Sequence, residues 1–503
     1  MLFLGNCDIR LLFKKNTYRY IKIHSINNRY HNMNVVVVDF IDLSIYNLIH
    51  SSKDINISAI CVPFEKERAR LRECDDSLKI YTWNDVINWT DGFVSTTDII
   101  ANQSTQLKVE RCYSRYSTQT GPAMAFYYHS LEFWKTILHD DVDVLLVADQ
   151  EHGIPVDSIP LAIAKSKGIQ AYTFEPIFCP STNLGLYALH NYNSGKYVQI
   201  SKSQNSSNII NLEEVLFNKK ETKVVKKSEL GQFINIFVSA LKKKYGTNGK
   251  ENYFGIPRNL KISKCLSNLI HTLVITAYYN KHSAKQISPN ENYILYALHF
   301  EPEATIMNRT VYNNQIHNIE MLAKALPKGW KIYVKEHPNQ LNLKFLIKNK
   351  YIGDNIKHYR NKLYYERILS IPNVELVDYK IPSSKLMQET HNNNENGLRA
   401  ISTINGTISI EAIHQNIPVI LFDTASMPYE DIEDIHPIKS YDDVVTIMNV
   451  LHESDWQPRY DNYSNKIGKY LIKYSKGHGF ELDDESIMKI INTDMSKKEG
   501  DRA

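Results

Sequence analysis

Short unbroken runs of β-branched and other apolar residues recur along this chain, and they constrain its fold more than any other feature. "NVVVVDF" (34–40), "ISAICV" (58–63), "LKIYTW" (78–83) and "VDVLLVAD" (142–149) lie in the first half. "NYILYALHF" (292–300), "WKIYVKEHP" (330–338), "VELVD" (374–378), "RAISTING" (399–406) and "PVILFD" (418–423) lie in the second. A strand that is apolar at successive positions has to be covered on both faces, the pattern of a parallel sheet held between helices. The stretches between the runs are long enough for the crossover helices. "IPLAIAKSKGIQAYTFEP" (159–176), for example, reads as a helix closed at Gly168 and then a strand.

The two series are separated by residues 201–288, which are rich in Lys, Asn and Ser and show amphipathic helical stretches at 228–244 and 262–282. A chain of 503 residues exceeds one ordinary core. The expected fold class is therefore α/β, with two domains in tandem facing a cleft. Residues 1–33 form an N-terminal extension, 34–200 the first domain, 201–288 a helical connector, 289–457 the second domain and 458–503 a helical tail. Ligands of open parallel sheets collect at the carboxyl ends of the strands. Residues just past each strand are thus the ones to watch.

Charge and cysteine usage narrow the partners. A net charge of +4 is small for this length and implies no nucleic-acid partner. The lysine-rich stretches 217–229 and 240–246 read as solvated helix faces, with weak attraction to an anionic membrane surface as the alternative. Cys7, Cys61, Cys74, Cys112, Cys179 and Cys265 are scattered, without a CxxC pair or a ligand-spaced His cluster. That argues against a zinc site and a disulfide framework, and suits a reducing cytosol. Asp8 and Arg10 interrupt the apolar start, so no signal peptide is read there. "CLSNLIHTLVITAYY" (265–279) is short for a membrane span and is expected to be a buried helix.

Three stretches of the second half carry the chemistry. Glu301 and Glu303 bracket Pro302 directly after a strand, with His299 just before them, and both carboxylates are expected to wall the cleft, with a helix-capping role as the alternative for Glu303. Lys335, Glu336 and His337 end the next strand, where Pro338 stops it. A histidine there can donate to a phosphate oxygen or act as acid or base; a turn histidine bonded to backbone is the plainer alternative. "STINGTISIEAIHQNIPVILFD" (402–423) makes a small polar turn from Ser402, Thr403, Asn405, Gly406 and Thr407 before a helix. Thr407 or Asn405 would cap that helix, Gly406 would let a ligand approach the backbone, and Glu411 follows one turn later. Such a turn can hold phosphate while Glu411 accepts from ribose hydroxyls.

"FEPEAT", "LAKALPKGWKIYVKEHP" and "STINGTISIEAIHQNIPVILFD" resemble, in this order, elements of the capsule polysaccharide biosynthesis family of bacterial glycosyltransferases. That family includes β-Kdo transferases that use a CMP-activated sugar. The resemblance covers about 130 residues of the second domain and extends more weakly to "ADQEHGIPVDSIPLAIAKSKGIQAYTFEP" in the first. It implies two Rossmann-like domains of the GT-B type, with the nucleotide in the second domain and the acceptor mostly on the first. By this resemblance His337 would contact the donor phosphate, Asn405 and Thr407 would hold the phosphate or nucleotide, Glu411 would hold the ribose, and Glu303 would lie near the nucleotide or sugar. Phe300 and Glu301 stand where a glutamine often opens the first element, and Asn405 and Gly406 replace the more usual serines. CMP-Kdo is accordingly one candidate donor among several.

In the first domain, Asp149, Glu151 and His152 follow "VLLVAD" at another strand's carboxyl end. Glycosyl transfer needs a base for the acceptor hydroxyl, or a carboxylate nucleophile in double displacement. Glu151 is the first candidate, Asp149 the second, and His152 can assist; Glu175 is a further one. All could instead cap following structure. The Asp-x-Asp spacing of "HDDVDV" (139–144) precedes its strand, the wrong end for a metal site. The expectation is a cytoplasmic enzyme without metal or cofactor, working at the inner face of a membrane or free of it. Its partners would be a nucleotide-sugar donor and a glycan or glycolipid acceptor. Other readings of the same architecture are a CDP-alcohol phosphotransferase, a sugar-nucleotide epimerase, and a non-catalytic nucleotide-binding part of a polysaccharide assembly complex.

Overall fold

The computed structural model describes residues 33–38, 55–115, 120–147, 158–178, 186–198, 262–288, 291–303, 306–307, 310–348, 351–391, 397–422, 435–453, 475–476, 491 and 494. In the first half, β1 (Met33–Val38), β2 (Ile55–Val62), β3 (Ile80–Thr82), β4 (Val144–Val147) and β5 (Gln170–Phe178) are parallel in the order β3-β2-β1-β4-β5. Val35, Val36 and Val38 are fully buried, as the unbroken apolar run requires. The helices are α1 (Glu65–Arg72), α2 (Trp83–Ile87), α3 (Thr96–Ala101), α4 (Gln103–Ser114), α5 (Thr120–Ile137) and α6 (Ser158–Lys167). Gly168, at φ +77°, ends α6 in the left-handed conformation that only glycine adopts without strain. An antiparallel edge follows, β6 (Leu186–Asn191) with β7 (Lys196–Tyr197), and β15 (Ser475–Lys476) pairs on its far side. The period of the apolar runs had given no sign of this edge.

The second sheet is parallel throughout. Its strands are β8 (Ser283–Ala284), β9 (Tyr293–Ala297), β10 (Lys331–Lys335), β11 (Val374–Val377), β12 (Leu398–Thr403), β13 (Val419–Leu421) and β14 (Ile435–Pro437). The order β14-β13-β12-β9-β10-β11-β8 is doubly wound: it runs one way from β9 through β10 and the other from β9 through β12. The switch point lies between β9 and β12. Helices α7 (Ile262–His282), α8 (Gln315–Ala325), α9 (Leu343–Lys348), α10 (Ile356–Tyr359), α11 (Lys362–Leu369), α12 (Ser383–His391), α13 (Ile408–His414) and α14 (Tyr441–His452) complete the half. Asn314 caps α8 by accepting from the backbone N–H of Ile316 and His317.

These are two Rossmann-like α/β domains. One face of the second sheet packs Ile294, Tyr296, Ile332, Val334 and Leu376 against α7, α8, α11 and α14; the other packs Leu295, Tyr333 and Val377 against α12 and α13. The domains meet where α4 ends. Arg115 pairs with Asp354 at 2.9 Å, Asn355 donates to the Ser114 carbonyl at 2.8 Å, and Arg111 reaches the Met307 carbonyl at 3.1 Å. Within the stretch expected to be a connector, α7 follows the expected span 262–282, while β8 joins the second sheet beside β11. Helix α7 is not buried all round: Leu266, Ile270, Leu273 and Val274 are each about half exposed. No helix among the described residues is long and apolar enough to cross a membrane.

Candidate nucleotide-sugar site

The chain leaves β9 as His299–Glu301, and two glutamines satisfy the peptide groups that the sheet releases. Gln315, on α8, accepts from His299 N–H (2.7 Å) and donates to its carbonyl (3.4 Å). Gln340, in the turn after β10, accepts from Glu301 N–H (2.8 Å) and donates to its carbonyl (2.9 Å). Buried backbone groups must be paired, and here side chains 16 and 39 positions away do it. The Glu301–Pro302 bond is cis.

Beneath this segment lies a buried ion network. Arg360, 3% exposed, donates through Nε to Glu336 (2.9 Å), through Nη1 to Glu301 and through Nη2 to the His299 carbonyl (2.8 Å). Glu336 is fully buried; it also accepts from Tyr365 Oη (2.6 Å) and from the His337 backbone N–H (2.7 Å). Burial opposes the Arg360 charge, but Glu336 and Glu301 hold it firmly protonated. One guanidinium thus fixes the exits of both β9 and β10. Of the two carboxylates expected to wall a cleft, Glu301 is committed to Arg360 and Gln315, while Glu303 lies beside His299.

At the switch point His299 bridges the strands. Its Nε2 accepts the backbone N–H of Asn405 at 3.1 Å, which leaves the proton on Nδ1, 3.7 Å from a Glu303 carboxylate oxygen. Burial raises the Glu303 pKa, yet the imidazole beside it outweighs that and holds the carboxyl below its usual range. A Cβ on Gly406 would stand 3.1 Å from Thr403 Oγ1 and 3.4 Å from His299 Nε2, so any side chain there would crowd both neighbours. Thr403 Oγ1 donates to the Ala297 carbonyl across the same gap at 3.4 Å.

His337 stands on the other side of β9. Its Nδ1 accepts from the Asn339 backbone N–H at 3.2 Å, the ring lies 6.0 Å from that of Phe300, and burial pushes its pKa down to about 3. At neutral pH it is an uncharged imidazole with its proton on Nε2, able to meet an anion as an N–H donor and not as a cation. Lys335 is across from Ala297 in the β9–β10 register, 4% exposed, with Nζ donating to the Tyr379 carbonyl at 3.2 Å. Burial lowers its pKa to about 8 against the attraction of Glu336, Glu411 and Asp378.

The structure therefore gathers Glu303, Lys335, His337, Thr403, Asn405, Gly406 and Glu411 around the carboxyl ends of β9, β10 and β12. Thr407 is the exception in kind. It occupies the N-cap position of α13, but it is exposed and its side chain makes no capping bond, because its backbone is already helical (φ −57°, ψ −19°). Ser409 instead donates to the Gly406 carbonyl at 2.7 Å. Asp149, Glu151 and His152 lie outside the described residues, just past β4, as does the side chain of Glu175. Asp143 precedes β4 and accepts from Asn34 N–H at 2.8 Å, at the amino end as expected. Sequence reading gave no role to His299, Gln315, Gln340 or Arg360. His299 carried one signal, its four-residue spacing from Glu303 at a strand exit; Arg360 carried none.

No family model matches the chain, and no curated protein sequence matches it. Solved structures align over most of its length at low similarity. A β-Kdo 2,7-transferase, KpsC, from Thermosulfurimonas dismutans is 9% identical, covering 92% of this chain and 99% of its own, with a TM-score of 0.30. The UDP-GlcNAc 2-epimerase of Methanocaldococcus jannaschii is 12% identical, covering 87% and 99%, with a TM-score of 0.24. A mutant O-GlcNAc transferase from Thermobaculum terrenum is 9% identical, covering 88% and 63%, with a TM-score of 0.24. TM-scores of this size leave the functional reading to the residues themselves.

Proposed function

We propose that this chain is a glycosyltransferase of the GT-B type that moves a sugar from a nucleotide-activated donor to a growing surface polysaccharide or glycolipid. The observation that carries the reading is the switch point, where His299 bridges β9 to the β12 turn and Gly406 lets that turn pack closely against His299 and Thr403. In this reading the donor phosphates meet the His337 N–H and the backbone of 405–407, Lys335 adds charge from below, and Glu411 takes the ribose hydroxyls. Glu303 stays ionised beside His299 and faces the sugar. Glu151 serves as the base for the acceptor hydroxyl, with Asp149 second and His152 assisting. Transfer proceeds without metal or cofactor, since N–H donors and Lys335 answer the phosphate charge. A CMP-sugar, CMP-Kdo first among them, is the donor to test.

Thermal unfolding of the purified protein against CMP, CDP, UDP, GDP and ADP, without metal, tests this directly. A nucleotide at about 100 times its Kd stabilises the fold by roughly 2.7 kcal/mol. Stabilisation by one nucleotide, lost in Glu411→Ala, supports the reading and names the donor class. Indifference to all five refutes it.

A further inference from the structure

Helix α7 turns one face to the second domain and leaves the other about half exposed. Cys265, Asn268, Thr272, Ile275 and Tyr279 are buried, while Leu266 (49% exposed), Ile270 (53%), Leu273 (52%) and Val274 (59%) form a stripe at positions i, i+4, i+7 and i+8. A single exposed apolar residue needs no explanation; four on one helical face do. The charge on α7 itself has one sign. Ile262–His282 contains no Asp or Glu, and Lys281 and His282 close it, both exposed. The neighbouring α10 and α11 add a cationic rim: Lys357 Nζ donates to Ser267 Oγ on α7, and Lys362 Nζ lies 5.7 Å from the Tyr278 ring. Two acids lie near this rim among the described ion pairs: Glu366, paired with Lys362 at 3.0 Å, and Asp354, which is buried and paired with Arg115.

We propose that this face of α7 docks on an anionic lipid surface, lying in the plane of the headgroups. An apolar stripe flanked by lysines has the chemistry of an interfacial helix: the stripe enters the headgroup boundary and the cations meet anionic lipid. The rim is what selects this occupant, because an apolar partner helix would leave Lys281 and Lys357 without a counter-charge. The surface is independent of the nucleotide crevice, so lipid binding and nucleotide binding can each fail alone.

Vesicle flotation of the full chain, without nucleotide, is the test. The wild type is expected to float with vesicles of phosphatidylcholine and phosphatidylglycerol in equal parts, to float poorly with phosphatidylcholine alone, and to be released by salt. Ile270→Glu/Leu273→Glu alters only exposed positions and should weaken binding by roughly tenfold or more; Lys281→Glu/Lys357→Glu should remove the preference for anionic lipid. Light scattering and melting of the same variants separate the other occupants. Equal flotation of wild type and Ile270→Glu/Leu273→Glu overturns the proposal. So does a wild-type dimer that this variant dissociates, which would put a second copy on the face. A fall in its melting temperature overturns it too, by placing another part of this chain there.

Discussion

Arg360→Met is the perturbation that most directly tests how the site is held. It strips Glu336, which is fully buried, of its Nε partner and leaves it only Tyr365 Oη and the His337 N–H. It strips Glu301, 15% exposed, of its cation, leaving Gln315, and it leaves the His299 carbonyl without the Nη2 donor. Removing one partner of a buried ion pair destabilises by about 3–5 kcal/mol, because the remaining charge is stranded. For a domain of this size that is a fall in Tm of about 6–20 °C, at about 2–4 °C per kcal/mol. Arg360→Lys should fall between the two, since an ammonium cannot fork to three acceptors. Calorimetry of Arg360→Met, Glu336→Gln and the double variant checks the cause as well as the size. If the loss is a stranded carboxylate, neutralising Glu336 relieves it, and the double variant should recover about 1–3 kcal/mol relative to additivity. A loss under about 1 kcal/mol for Arg360→Met, or strict additivity, would refute the reasoning.

Gly406→Ala places a methyl 3.1 Å from Thr403 Oγ1 and 3.4 Å from His299 Nε2, so it should cost about 1–3 kcal/mol at most and abolish nucleotide-dependent stabilisation in the thermal assay. His337, with its pKa down at about 3, stays unprotonated in the folded protein across a range where the unfolded chain takes up a proton. The unfolded state binds more protons between that value and an ordinary imidazole pKa of about 6.5, so stability falls as pH falls through this window. His337→Asn should flatten that limb in chemical denaturation series taken from neutral to acid pH. Glu303, held below the usual carboxylate range, contributes stability above the ordinary carboxylate pKa that is lost as pH falls through its folded value; Glu303→Gln should lose this contribution at neutral pH and be less sensitive to acid.

The sequence by itself determined the central parallel strands of both sheets. Val35–Val38 and Tyr293–Tyr296 cannot be solvated on either face, so they dictate parallel strands under helices, and the residues just past such strands are placed by chain continuity alone. That is why Glu303, Lys335, His337 and the 403–407 turn were legible one by one. Tertiary structure decided what each of them does. Glu301 and Glu303 look alike in the chain, yet one is taken by Arg360, 59 residues away, and the other by His299. Lys335 ends its strand beside His337 in the chain, but its ammonium is buried and bonded to the Tyr379 carbonyl; His337 reads as a titrating imidazole but is held neutral by burial. Thr407 reads as a cap, and its own helical backbone prevents it. Strand period is a local property of two residues at a time, whereas hydrogen-bond partners and desolvation are set by elements that meet only after the sheet is wound.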